Sequence, residues 1–292
     1  MPINEGEQMS VTRLEIAARG EGPYGVTVQG PDLWVTLVHA GAITHFREGS
    51  VRQFDLGAAT SRPSVIVPTA DGAVWFTRSG DQSIGRISPT GEVSAVPLPS
   101  GSPYGLCRGP GGLWFTVMDA DRIGRLGLEG GITEYVIGQD PSFPAMITAR
   151  GSEVWFTLNA RNAIGRWANG AMTFYELPTE AAGPVGISAG PDVVWFTELL
   201  AGQLGRLDAD GNVTEVPLPD RQSKPHAVVA TTDGGCWATL WGSGTLVRLQ
   251  ANGDVVREYD LGAGSEPHGL ALADDGSVWV ALETGSLAHV LP

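Results

Sequence analysis

Seven of the nine tryptophans, Trp34, Trp75, Trp114, Trp155, Trp195, Trp237 and Trp279, recur at intervals of 41, 39, 41, 40, 42 and 42 residues. A beat of about forty residues held over the whole chain restricts the fold to repeating architectures. A second marker keeps the same time about eleven residues ahead of each tryptophan: Pro23, Pro63, Pro103, Pro144, Pro184, Pro225 and Pro267. The Trp stands in a Trp-Phe-Thr-like strand, is followed about ten residues on by Ile-Gly-Arg or a relative (84–86, 123–125, 164–166, 204–206), and then by segments such as VTEVPLP at 213–219. Each repeat therefore reads as four short antiparallel strands, A to D, separated by turns.

Seven such repeats predict an all-β, seven-bladed β-propeller with four antiparallel strands per blade, because a ring of sheets hides its edges better than a stack. The 41 Gly and 20 Pro suit many tight turns and leave little room for helix. The last repeat supplies only strands A, B and C, ending in 286–292, while 11–18 is an orphan strand ahead of the first marker proline. Closure of the last blade by this N-terminal strand is expected, with 11–292 a single domain and 1–10 a flexible tail.

A net charge of −14 argues against nucleic acid and against anionic membrane surfaces, both of which reward clustered Lys and Arg. No apolar run approaches the roughly 20 residues of a membrane span, and the polar start carries no signal-peptide core. A cytoplasmic monomer is expected. Cys107 and Cys236 make neither a disulfide framework nor a zinc site and read as reduced, buried thiols.

In a propeller meander strand A lines the central channel, so the residue after each marker proline forms a ring around one mouth. That ring reads Tyr24, Ser64, Tyr104, Ala145, Val185, His226, His268. Two of the five histidines of the chain fall on these seven positions, which points to function in the loops at this mouth. His39, His45 and His289 lie off the ring and read as solvated.

The stretch EPHGLALADDGSVWVALE, 266–283, spells a hairpin around Asp275-Gly276. Equal counting from a two-residue turn puts Glu283 opposite His268, and a strand period of two puts Glu266 on the same face. Two carboxylates brought together repel unless a proton or cation lies between them, and Mg²⁺ suits such a pair. The same counting around Asp233-Gly234 sets Trp241 opposite His226, where Tyr24, Tyr104, Met118 and Leu199 complete an aromatic and apolar rim. Glu198 faces this mouth as pocket wall or as an exposed carboxylate. The periodic tryptophans read as packing between blades, and Arg86, Arg125, Arg166 and Arg206 as hydrogen bonding between blades.

The Trp-Phe-Thr and Ile-Gly-Arg pattern, the seven repeats, Lys224-Pro225-His226, Glu266-Pro267-His268-Gly269 and Ala281-Leu282-Glu283 together resemble the virginiamycin B lyase family over essentially the whole chain. The resemblance implies a Mg²⁺-dependent lyase that opens the ester of type B streptogramin cyclic depsipeptides. It implies His268 as general base, His226 as substrate contact, and Glu266 and Glu283 as metal ligands. Tyr24, Tyr104 and Trp241 enter as pocket candidates. A propeller hydrolase with metal-activated water and a propeller that only binds a ligand are the alternatives.

Overall fold

The computed structural model describes residues 11–138 and 141–291. The tail expected at 1–10 lies outside the described residues. Among these residues twenty-eight strands form seven four-stranded antiparallel sheets, with only two one-turn 3-10 segments at Ala59–Ser61 and Ser79–Asp81. No helix of the described residues is long and apolar enough to cross a membrane.

Each marker proline opens the innermost strand of its blade, from Pro23–Gln29 in the first to Pro267–Leu272 in the seventh. Neighbouring inner strands touch in ring order, and the seventh lies beside the first. The seventh sheet is completed by Val11–Glu15, paired with Ser286–Val290 through Val11↔Val290 and Glu15↔Ser286. The closing strand is three residues shorter than the sequence implied. Beyond it Ile16 and Ala17 turn their N–H groups onto the carbonyl of Gly285, at 3.5 and 3.2 Å.

The repeated motifs have separate physical reasons. The Phe of Trp-Phe-Thr lies directly across from the Gly of Ile-Gly-Arg, as in Phe76↔Gly85, Phe115↔Gly124 and Phe156↔Gly165. A Cβ at Gly165 would sit 2.1 Å from the Phe156 ring. Glycine is therefore required for volume, and the variant repeats confirm the rule by compensation. Where the sixth blade has Val247 in place of glycine it has Ala238 in place of phenylalanine, and the seventh pairs Ala288 with Val280. Gly165→Ala is expected to cost about 1–3 kcal/mol by overpacking, with Phe156→Val in the same chain recovering part of the loss. Urea unfolding of the two single variants and the double variant measures this coupling.

The tryptophans pack between blades, as expected. Trp195 lies among Val228, Ala238 and Val247 of the next blade, and its Nε1 donates to the Gly234 carbonyl at 3.0 Å. Of the four arginines expected to bridge blades, Arg206 does so and the other three lie on their own blade. Arg86, Arg125 and Arg166 lie over the tryptophan of their own blade, 5.3–6.0 Å from the ring. Arg86 and Arg166 also pair with acids of that blade, Asp71 and Glu153, and of the Ile-Gly-Arg series Arg206 alone is recorded reaching across, to the carbonyl of Ala251. His45 and His289 occupy the same register position and stack on Trp34 and Trp279, with ring centroids 3.9 and 4.0 Å apart. Neither is a solvated residue; both are caps on a blade tryptophan.

Regular blade-to-blade hydrogen bonding belongs to the threonine of Trp-Phe-Thr. Thr36, Thr77, Thr116, Thr157, Thr197 and Thr239 each donate to the carbonyl of a ring residue in the following blade, at 2.6–3.0 Å. Thr197 and Thr239 thereby hold the backbones of His226 and His268. The seventh blade has Ala281 at this position, so the seam between the seventh and first blades has no such bridge.

Candidate functional site

Every inner strand carries a β-bulge just after its proline, and this feature aims the ring residues. In the seventh blade Pro267 pairs with Leu282 and Leu270 with Val280, so His268 and Gly269 together oppose the single residue Ala281. The hairpin turn also holds three residues rather than two, with Ala273 N donating to Ser277 O at 2.9 Å. Both departures move the register the same way. Glu283 consequently does not face His268 across the ladder; its N–H donates to the carbonyl of Glu266 at 3.2 Å. The bulge turns the His268 ring back over the strand end, where Nε2 meets Oε2 of Glu283. In the sixth blade the same bulge leaves Trp241 backbone-paired with Lys224 at 3.0 Å rather than opposite His226.

The expected convergence of His226, His268, Tyr24 and Tyr104 is present. The His226 and His268 rings meet edge to face with centroids 4.7 Å apart, and Tyr24 lies 4.3 Å from His268. The Tyr24 hydroxyl hydrogen-bonds the Tyr104 hydroxyl and sits 3.5 Å from His226 Nε2. Blade two, between these tyrosines, presents only Ser64 at the ring position, and its small side chain leaves them room to meet. Trp241 approaches His268 at 6.4 Å and carries Lys224 Nζ over its face at 4.9 Å. Beneath this group a channel cavity of about 260 Å³ runs between the inner strands, its lining including Cys107, Met146 and Val229. A roomier cavity of about 580 Å³ lies at the opposite face among Trp75, Arg108 and Leu128, away from every residue of this cluster.

The electrostatics assign distinct states to these groups. Burial first, and then the neighbouring His268 imidazole, hold His226 down to about 3, so it is a neutral imidazole. The hydrogen bond from His268, followed by that from His39, holds Glu283 down at about 2 against its own burial. Burial pushes Tyr24 and Tyr104 up, so both remain neutral phenols. Burial also pushes the Cys107 thiol up to about 12 and raises Cys236, which removes both as nucleophiles. Nδ1 of His226, Nδ1 of His268 and Nε1 of Trp241 are buried without a hydrogen-bond partner, the pattern of a site that completes its polar contacts with a bound molecule.

His39 belongs to the site although the sequence reading placed it in solvent. It stands in the first blade, in the loop between Asp32–Leu37 and Ala42–Arg47, and its Nε2 lies 2.6 Å from Oε1 of Glu283. Glu283 is thus held by one imidazole on each oxygen. The available signal was closure itself, which sets the first blade beside the seventh. Glu198 moves the other way: its side chain is fully buried, accepts from Gln203 Nε2 at 2.6 Å, and does not line the mouth.

Glu266 is in the left-handed region at φ 52°, as are Arg62, Phe143 and Lys224 before their own prolines, so this backbone is a property of the blades rather than strain particular to the site. Its carboxylate pairs with no side chain among the described residues. Two carboxylates on hydrogen-bonded neighbouring backbones suit a hard cation that takes one or two of them and keeps its waters. No cluster of three or more His, Cys, Asp or Glu with metal-holding geometry occurs among the described residues.

The profile of the Virginiamycin B lyase family matches residues 9–290. The chain belongs to this family. It is 45% identical over 224 residues to a virginiamycin B lyase of Nocardia farcinica, covering 76% of this chain and 78% of that protein. The crystal structure of virginiamycin B lyase from Staphylococcus aureus superposes with a TM-score of 0.92 at 34% identity, over 98% of this chain and 100% of the other. A catalytically inactive His-to-Ala variant of the same Staphylococcus aureus lyase, crystallised with quinupristin, gives 0.91 at 33% identity with the same coverage. Membership of the virginiamycin B lyase family makes the chain an enzyme of the lyase class, and the paired Pro-His motifs lie within the matched span.

Proposed function

We propose that this chain inactivates type B streptogramins by opening the ester of the cyclic depsipeptide through elimination. The observation that carries the reading is the His268–Glu283 pair at the channel mouth, walled by Tyr24, Tyr104, His226 and Trp241, in a virginiamycin B lyase family member. The inactivity of the His-to-Ala relative studied with quinupristin agrees with a histidine at the centre of the chemistry.

His268 takes a proton from the carbon α to a carbonyl on the alcohol side of the ester. The electron pair forms a double bond to the β carbon, and the bond from the β carbon to the ester oxygen breaks, releasing a carboxylate. Nε2–H of His268 donates to the Glu283 carboxylate, so the proton is taken on Nδ1, which has no other partner, and the imidazolium that forms is paired with that carboxylate, a gain that falls on the transition state. His226, kept neutral, offers a hydrogen bond without competing for the proton, and the phenols of Tyr24 and Tyr104 supply polar handles on an apolar wall. Glu266 and Glu283 would hold Mg²⁺, which when bound supplies positive charge for the departing carboxylate.

Hydrolysis of the same ester would leave one water oxygen in the product. Turnover of quinupristin in ¹⁸O-labelled water, with and without Mg²⁺, is expected to give a product of unchanged mass and no label, and to stop reversibly on chelation. A product one water heavier or carrying label in its carboxylate points to the hydrolase, and turnover undiminished in chelator rejects the metal.

A further inference from the structure

The structure assigns to His39 a role in the site: we infer that it is a positioning residue for Glu283, acting across the seam between the first and seventh blades. The inference rests on the reading of the site as a lyase centre. Six seams of the ring are tied by a threonine hydroxyl, and the seventh is not, because Ala281 stands where the others have threonine. Across this seam, among the described residues, the recorded side-chain hydrogen bond is His39 Nε2 to Glu283 Oε1 at 2.6 Å.

The geometry gives that contact a consequence. Glu283 follows directly on the strand Val278–Leu282, and its backbone is fixed by the bond to Glu266 O. A glutamate still has three side-chain torsions, each able to carry the carboxylate away from His268. Fixing one oxygen on His39 leaves the other aimed at His268, so the two imidazoles define the plane of the carboxylate between them. Partners that orient a functional carboxylate in this way are typically worth about 10–100-fold in affinity or activity. His39 is half exposed, so it can be removed with little loss of packing.

The test uses the full chain with His39→Ala and His39→Gln, the amide of which can still donate to Oε1. In the protein free of metal and substrate, ¹⁵N spectra of the imidazoles are expected to show the His268 Nε2 resonance displaced in His39→Ala and returned toward its original position in His39→Gln. Calorimetric titration with Mg²⁺ and no substrate is expected to show affinity falling by about 10-fold or more in the alanine variant, and kcat on quinupristin falling similarly while KM changes little. The glutamine variant should recover most of both. An unmoved His268 resonance in His39→Ala, or a loss that glutamine does not repair, overturns the inference. Failure of the unsubstituted protein to bind Mg²⁺ or to consume quinupristin would instead count against the proposed function, and the spectra would still decide the role of His39.

Discussion

His268→Ala is expected to lower turnover of quinupristin by about 10²–10⁴-fold, the usual worth of a positioned general base. The loss should appear in kcat more than in KM, because the base acts on the transition state while the aromatic wall of the mouth stays in place. The fold should survive, since the link from Thr239 to the carbonyl of residue 268 uses the backbone and is indifferent to the side chain. His45→Ala supplies the control: His45 also pairs a carboxylate, Asp32, at 2.6 Å and also stacks on an aromatic ring, but it caps a blade tryptophan. It should leave turnover unchanged while lowering the thermal midpoint. Equal activities in the two variants, or less than tenfold loss in His268→Ala, would remove His268 from the chemistry.

The parts of the fold set by repetition were legible because each mark has a local cause. Tryptophan fills the gap between sheets, proline opens the inner strand, and the Phe-Gly pair trades volume across one ladder. Closure was legible as well, since a blade lacking its fourth strand and a strand lacking a blade are one observation seen from two ends. Register was not. A bulge adds a residue to one strand without changing composition or period, so counting back from Asp275-Gly276 set Glu283 opposite His268, where the ladder sets it beside Glu266. The threonine bridges were hidden because a hydroxyl that spans two sheets leaves no mark on its own strand. His39 was missed for a related reason: strand parity stops at the strand end, and the partner of His39 lies 244 residues away in sequence.

Acid should reveal two buried groups that oppose one another. His226 is depressed in the fold, from 6.5 to about 3, so its contribution to stability is present above pH 6.5 and is lost as pH falls toward about 3. Glu198 is raised, from 4.5 to about 7, chiefly by burial, so its contribution is present below pH 4.5 and is lost as pH climbs through about 7. Between pH 4.5 and 6.5 the unfolded chain holds one more proton at His226 and one fewer at Glu198, and the two slopes cancel. Each slope alone is worth about 1.4 kcal/mol per pH unit, or roughly 3 kcal/mol over this window. Glu198→Gln is therefore expected to lose about 3 kcal/mol of stability between pH 6.5 and 4.5 relative to the unsubstituted protein, and His226→Gln to gain about as much over the same fall. Below pH 4.5 the order changes. There the unsubstituted chain starts to lose both the His226 contribution and that of Glu283, which is held at about 2, while His226→Gln loses only the second. Urea unfolding of the three proteins at pH 4.5, 5.5 and 6.5 gives the slopes directly. Parallel profiles would show that His226 accepts a proton in the folded ring as readily as in the unfolded chain, and a neutral His226 could then no longer be assigned as the hydrogen-bonding partner of the substrate.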